Sequence, residues 1–332
     1  MCKKAPQTLS SFFYRSCMVP AYNPSGFCHH FTSVSGRGWP MVDPSLSFLF
    51  SATYSSIEFM DSCNGLILCL CQKVSMWPLR EIEYIVCNPA TEKWTVLPNI
   101  EAMKGLYTMY LGFDPAVSLH FTVFSLVDYI LDSDIEDENA YWHHQIKELE
   151  IYSSETGNWA YHQSEWADGT RVVGNSGVFF NGTLHVTTID SSVITVNTKG
   201  KTWRKIPTPY YFSFIGMSQG HLYAVHRYEN GSQLAIWVLE DYNGDQWGLK
   251  HMFNVLDLCG THHISLEDRS VPVVIAIHPE CSLLFLVANR RILVSYNVDK
   301  RKVCDICTLG NRYVLPYLPY ISCFSEGLSG GS

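Results

Sequence analysis

Three tryptophans, Trp159, Trp203 and Trp247, stand 44 residues apart along the chain. Each follows a short polar turn that contains Gly, Asn or Thr. The three turns are residues 154–158, 197–202 and 241–246. A fourth turn of this kind, Asn88 to Lys93, precedes Trp94. A repeat of roughly 40–45 residues that carries four strand-like runs is typical of one blade of a β-propeller, so the chain is predicted to form such a ring.

The segments between the turns read as strands. Apolar or alternating runs of strand length recur, and no stretch shows a sustained helical period with caps at both ends. The predicted class is therefore all-β. Five repeats close at Trp94, Trp159, Trp203, Trp247 and Val303, the last standing where a Trp is expected. The second repeat is longer, and the acidic insertion Asp132 to Glu138 accounts for its extra length.

Two segments lie outside the five repeats, residues 8–54 and 313–328. A closed ring usually completes one blade with strands from both termini, because this removes the open sheet edge. We therefore expect a single propeller of six blades, each of four antiparallel strands, closed by N- and C-terminal strands. Seven blades is the alternative number. The predicted domain is residues 8–328, with residues 1–7 and 329–332 as short flexible termini.

Composition and charge exclude some classes of function. The chain has 332 residues, of which 47% are hydrophobic and 16% charged, and this favours a large folded core. The formal net charge is −8, and Lys and Arg are scattered singly. A surface that follows a phosphate backbone needs clustered basic residues. Nucleic acid is therefore not expected as a partner.

The chain also lacks the pattern of a membrane or secreted protein. Its most apolar stretch, residues 271–296, is interrupted by His278, Pro279 and Arg290, too early for a membrane span. No apolar segment follows Lys3 and Lys4 as in a secretion signal. The 12 cysteines are interpreted as reduced core residues of a cytosolic or nuclear protein. Examples are Cys69, Cys71, Cys87 and Cys281.

Two motifs in the first repeat are more specific than the Trp rhythm. Residues 61–66 read Asp-Ser-Cys-Asn-Gly-Leu, and residues 86–98 contain Asn-Pro-Ala-Thr-Glu-Lys-Trp followed by Leu-Pro. This pair resembles the pattern of plant F-box-associated (F-box/kelch-like) β-propeller proteins, and residues 111–114 and 312–320 resemble that family's middle and late motifs. The resemblance implies the substrate-recognition part of a Skp1–cullin–F-box (SCF) ubiquitin ligase, in which the loops of the propeller hold a protein substrate.

One departure from the family concerns the F-box, a helical domain that normally precedes the propeller. Residues 6–14 resemble the segment that follows an F-box, and the few residues before them are too short for a folded helical unit. We therefore expect the F-box to be missing from this chain. Contact with the Skp1–cullin complex would then require an F-box that this chain does not contain.

Catalytic motifs are weak. Aligned on Gly200, Thr202 and Trp203, the turn at residues 197–202 and the residue before it have Val196 and Thr198 where a sialidase Asp box has Ser and Asp. No nucleophile elbow, P-loop or dinucleotide fingerprint is present in the sequence. We expect a protein that is not an enzyme. The alternatives are a propeller lectin, a glycan-acting enzyme, or a scaffold with no ligase link.

Potential metal ligands occur in four groups, none of which forms a complete set at paired spacing. They are residues 28–30, residues 143–144, Cys259 with His262 and His263, and Cys304 with Cys307. Neighbouring residues of a strand point to opposite faces, so Cys304 and Cys307 are expected on opposite sides of a regular strand. No metal and no cofactor are predicted.

Aromatic residues in the less regular segments are the candidate partner contacts, because exposed aromatics can anchor a partner. They are Trp39, Trp77, Trp142, Trp166, Tyr210 and Tyr211. Packing in the core or between blades is the alternative for each. The acidic run Asp132 to Glu138 is interpreted as a solvated loop, with a dock for basic segments as the alternative. The repeated Trp residues are expected to wedge between blades.

Overall fold

The computed structural model describes residues 9–17, 27–34, 42–49, 54–74, 81–100, 106–130, 144–166, 170–228, 231–255, 272–288, 292–309, 313–324 and 328. Within these residues the chain forms 23 strands in six antiparallel sheets. The predicted flexible termini, residues 1–7 and 329–332, lie outside the described residues.

The strands follow in chain order. They are β1 (Ser11–Cys17), β2 (Phe27–Ser33), β3 (Tyr54–Cys63), β4 (Leu66–Lys73), β5 (Ile82–Asn88), β6 (Lys93–Val96), β7 (Leu106–Gly112), β8 (Thr122–Ile130), β9 (His144–Ser153), β10 (Asn158–Gln163), β11 (Val172–Phe180), β12 (Thr183–Thr188), β13 (Ser192–Asn197), β14 (Trp203–Pro207), β15 (Phe214–Ser218), β16 (His221–Arg227), β17 (Gln233–Asp241), β18 (Gln246–Asn254), β19 (Val273–Ile277), β20 (Leu283–Ala288), β21 (Ile292–Asn297), β22 (Lys302–Thr308) and β23 (Tyr313–Tyr320).

The six sheets are the blades of a propeller. Blades 1 to 5 are four-stranded meanders, β3–β6, β7–β10, β11–β14, β15–β18 and β19–β22. In the described residues, blade 6 has the order β2-β1-β23. The first strand of each blade contacts the first strand of the next, and β23 contacts both β19 and β3. The predicted six-bladed ring, closed by strands from both termini, is confirmed.

The apolar core is divided among the gaps between blades. Six buried clusters fill the six gaps, and each draws residues from two neighbouring blades. Trp94, Trp159, Trp203 and Trp247 are each the first or second residue of the fourth strand of a blade and pack in the gap toward the preceding blade. Val303 does the same in blade 5. The expected role of the repeated Trp residues as wedges between blades is confirmed.

The polar turn before each Trp has a local cause. Each of these turns contains one residue with a positive φ, namely Glu92, Gly157, Gly200, Asp245 and Arg301. The side chain that opens the turn often accepts a backbone N–H, as Asn88 Oδ1 does from Ala90 at 3.0 Å. Asn, Asp and Gly are the residues that satisfy these two demands most readily.

The Asp61 to Leu66 motif closes the ring. Ser62 Oγ donates to the Pro319 carbonyl of β23 at 2.8 Å. Gly65 has a φ of 93°, and a Cβ on it would lie 2.3 Å from Cys323 Cβ and 2.7 Å from the Ile321 carbonyl. From the second motif, Asn88 Nδ2 donates to the Cys323 carbonyl at 2.8 Å. Gly65 is thus crowded by the segment that follows β23.

Blade 3 and blade 4 are joined by a buried histidine. His185, only 1% exposed, contacts the Thr183 carbonyl through Nδ1 at 3.1 Å. A carbonyl only accepts, so Nδ1 carries the proton, and Nε2 accepts from the Tyr242 hydroxyl at 2.9 Å. Burial lowers the pKa of His185 to about 4, because the imidazolium would lose its hydration.

We expect Gly65→Ala to destabilise the ring far more than Gly182→Ala. Both positions have positive φ, which costs Ala about 1 kcal/mol, but a Cβ at Gly182 meets nothing within 4 Å. The clash at Gly65 brings the predicted loss to about 3 kcal/mol or more. Urea unfolding of the two variants measures this difference, and equal losses would contradict it.

We also expect His185 to make the protein less stable as the pH falls. Between about pH 6.5 and pH 4 the unfolded chain binds a proton at this site that the folded chain does not. The stability lost across this window is about 3 kcal/mol. In urea unfolding at stepwise pH, His185→Gln should show a shallower dependence than the wild type, and the exposed control His221→Gln should not. Parallel curves for all three proteins would refute this role.

Candidate functional site

The ring has two unlike faces. The four-stranded blades start on the same face, so their strand 2–3 connections and the connections that leave them open on that face, which we call the loop face. The strand 1–2 and 3–4 connections open on the other, the turn face, and many are tight, such as residues 64–65, 181–182 and 219–220. The loop face includes connections between blades such as residues 208–213. Binding residues of rigid scaffolds concentrate on such loops.

Of the six predicted partner-contacting aromatics, the structure describes three, all in loop-face connections between blades: Trp166 in residues 164–171, and Tyr210 and Tyr211 in 208–213. Trp39, Trp77 and Trp142 fall outside the described residues, as does the acidic run Asp132 to Glu138. Their predicted roles stay predictions.

Trp166 is not a partner contact. Its side chain is only 7% exposed. The indole N–H donates to the Thr195 carbonyl at 3.3 Å, and the ring packs edge-on against Trp203 with centroids 4.6 Å apart. The prediction of an exposed anchor is wrong here, because this connection folds back over the gap between blades 2 and 3.

Tyr210 lies at the centre of an aromatic cluster on the loop face. Its side chain is 41% exposed and stacks on His226 with ring centroids 4.6 Å apart. Trp237 and Tyr228 complete the contacts, at 5.7 and 6.1 Å. His226 Nδ1 donates to the Tyr211 carbonyl at 2.8 Å, which ties the connection to β16. We call these five residues the Tyr210 cluster.

The Tyr210 cluster presents both aromatic surface and polar groups. Burial raises the pKa of the half-buried Tyr211. The buried indole N–H of Trp237 has no hydrogen-bond partner among the described residues. Tyr and Trp supply large contact areas with a polar tip, a composition that is common at protein interfaces. This part of the loop face can therefore bury an apolar segment of a partner.

Sequence reasoning missed His226, Tyr228 and Trp237. They lie in or just beyond β16 and β17, which were recognised as strands but not as contributors to a site. His226 pairs with Ala235, and Ala224 with Trp237, so His226 and Trp237 share one face of blade 4. The available signal was the alternation of aromatic residues at 226 and 228 at the end of a strand.

The inner strands enclose a central cavity of about 720 Å³. Most of its lining is apolar, for example Phe179, Phe214 and Ile275. Its charged lining residues in the described part of the chain are Glu58 and Asp61, both on β3. Burial raises the pKa of Asp61 to about 7, although two backbone N–H groups that donate to it act in the opposite direction.

The potential metal ligands do not come together in the described part of the chain, where no three His, Cys, Asp or Glu side chains form a metal-binding group. His29 contacts the Ile57 carbonyl at 2.9 Å, and His30 stacks on Tyr14. Residue 143, Cys259, His262 and His263 lie outside the described residues, and nothing is described of the side chain at 144.

Cys304 and Cys307 depart from the predicted strand geometry. Cys304 pairs with Ser295 and Cys307 with Leu293, with a register shift between them. Since Leu293 and Ser295 share one side of β21, the two cysteines also lie on one side. The expectation of opposite sides was wrong, because a bulge at residue 306 breaks the alternation.

The cysteines otherwise divide between core and surface. Cys69, Cys71 and Cys87 are buried, as predicted. Cys281 is half-buried in the turn after β19 rather than in a strand, and Cys304 is exposed. In the described ranges, no helix is long and apolar enough to cross a membrane.

The sequence matches the model of the F-box associated beta propeller domain over residues 26–303. F-box protein At5g07610 of Arabidopsis thaliana is 25% identical over 337 residues, an alignment that covers 92% of this chain and 76% of that protein. No F-box domain is detected in this chain.

Several solved structures are similar at low sequence identity. TolB from Acinetobacter baumannii has a TM-score of 0.49 and 10% identity over 93% of this chain and 65% of its own. Oligogalacturonate lyase in complex with manganese has a TM-score of 0.45 and 9% identity, over 76% of this chain and 77% of its own. YCF48 bound to D1 peptide has a TM-score of 0.41 and 11% identity, over 90% of this chain and 81% of its own. The fold assignment rests on the strand pairing itself.

We expect Trp166→Ala and Tyr210→Ala to differ sharply in stability. Removal of the buried Trp166 ring should cost about 3 kcal/mol or more, whereas removal of the exposed Tyr210 ring should cost less than about 1 kcal/mol. Thermal unfolding of both variants checks this. A larger loss for Tyr210→Ala than for Trp166→Ala would reverse the assignment of core and surface.

Proposed function

Because the chain belongs to the F-box associated β-propeller family, we propose that it is the substrate-recognition module of an F-box protein in an SCF-type ubiquitin ligase. The match over residues 26–303 carries this proposal, and the named relative supports it. The resemblance predicted from residues 61–66 and 86–98 is confirmed. In this role the chain has no enzymatic activity of its own and acts in the cytosol or nucleus.

The position at which β1 begins supports different roles for the two faces. Ser10, just before β1, donates its N–H to the Tyr320 carbonyl at the end of β23. The inner strand β23 ends at the turn face, so any domain that precedes β1 joins the propeller at the turn face. An F-box in that position would leave the loop face open.

We place the protein substrate on the loop face. The connections that leave blades 1 to 5 open there, and the Tyr210 cluster supplies an exposed aromatic anchor among them. Recognition by such a face needs no bond chemistry: rigid blades hold loops whose shape selects the partner. The Skp1–cullin complex is reached only through an F-box, and the partners of the propeller itself are proteins.

The test joins the F-box of the Arabidopsis relative to the N-terminus of this chain. We expect the fusion to copurify with Skp1 and the chain alone not to do so. Skp1 bound equally well by the chain alone would refute this role for the propeller.

A second experiment tests the face. In plant cells treated with a proteasome inhibitor, ubiquitinated proteins captured by the fusion should decrease at least fivefold with Tyr210→Ala. The control is Leu119→Ala, which changes a 52% exposed residue of the turn face and should leave capture intact. Capture that is lost with Leu119→Ala and retained with Tyr210→Ala would place the substrate on the turn face and contradict the proposal.

A further inference from the structure

The central cavity has the dimensions of a small-molecule site. Its volume is about 720 Å³, within the range of cavities that hold small organic ligands, roughly 300–1,000 Å³. The inner strands of all six blades contribute to its lining. It is therefore a property of the closed ring rather than of any single connection.

Most of the cavity wall is apolar. Phe179, Phe214, Ile215, Val273 and Ile275 line it. Val273 is 40% exposed although it belongs to an inner strand. Water makes no hydrogen bonds to such a wall, whereas an apolar ligand that covers the wall is stabilised by burial of apolar surface.

The β3 side of the cavity carries charge of one sign. The lining includes Glu58 and Asp61, and no Lys, Arg or His among the described residues. Glu58 Oε1 accepts from Arg15 Nη2 at 2.9 Å, so Arg15 largely balances Glu58. No Lys, Arg or His of the described lining pairs with Asp61. Because burial raises the pKa of Asp61 to about 7, a bound cation would stabilise its ionised form.

The polar groups of this wall offer acceptors rather than donors. Ser62 Oγ and Asn64 Nδ2 donate to the carbonyls of Pro319 and Phe113, at 2.8 and 2.6 Å. Asp61 Oδ1 accepts from the Ser62 N–H at 2.8 Å, and Oδ2 from the Leu111 N–H at 2.7 Å. A carboxylate has about four lone-pair sites, so Asp61 is held in place and can still accept.

We propose that the central cavity binds a small organic cation, an amine with an apolar or aromatic body. Its ammonium group hydrogen-bonds to Asp61, and its body covers Phe179, Phe214 and Val273. The Asp61 carboxylate selects a cation over an anion, and the opposite wall selects an apolar body over a hydrated ion. Binding at this site does not depend on the ligase role, because the cavity is formed by this chain alone and can be tested without Skp1 or a protein substrate.

Calorimetry on the purified chain tests the proposal with three probes of similar shape. They are phenethylamine, the neutral 2-phenylethanol and the anionic 3-phenylpropionate. We expect phenethylamine to bind at least tenfold more tightly than the other two. Equal affinities for all three, or no binding of phenethylamine at millimolar concentration, would overturn the proposal. Neither result depends on Skp1 or on a protein substrate.

Two variants locate the site. Asp61→Asn should lower the affinity for phenethylamine to that for 2-phenylethanol, whereas Asp241→Asn, at an exposed turn residue, should leave it unchanged. If Asp61→Asn does not fold, Val273→Phe decides the question, because it fills the cavity and leaves the hydrogen bonds of Asp61 in place. Binding of phenethylamine retained in folded Val273→Phe would overturn the proposal.

Discussion

The contact between the two ends of the chain holds the rest of the structure in place. β23 pairs with β1 to complete blade 6, and it also lies against β3 of blade 1. The apolar core is divided into six gaps, and each gap needs blades on both sides. Without β23, blade 6 loses its inner strand and two gaps lose one wall. The hydrogen bonds of Ser62 and Asn88 to the segment around β23 strengthen this closure.

Closure of the ring also explains why the family motifs lie apart from the proposed partner surface. Residues 61–66 and 86–98 identify the family, yet their observed contacts join blade 1 to blade 2 and to the C-terminal segment. Residues 61–64 also line the central cavity. The surface proposed to meet a partner is instead on the loop face, at the Tyr210 cluster. Under that proposal, related propellers keep one scaffold and vary their loop-face connections.

The ring was predictable from sequence because the turn and strand patterns that form each blade are local and repeat along the chain. A positive-φ turn residue followed by Trp, as at Glu92 and Trp94, occurs in each of blades 1 to 4 and needs no knowledge of distant contacts. The site was less predictable. Trp166 and Tyr210 both sit in loop-face connections, yet one is buried and the other exposed. That difference depends on which neighbouring blade covers each ring, and no local pattern encodes it.

Hydrogen exchange measured by mass spectrometry tests the division of faces most directly. The F-box fusion would be compared alone and with its captured substrate. The account predicts slower exchange at the loop-face residues 208–213 and 228–232, with the turn-face residues 113–121 unchanged. Protection of residues 113–121, with residues 208–213 exchanging as in the free protein, would contradict it.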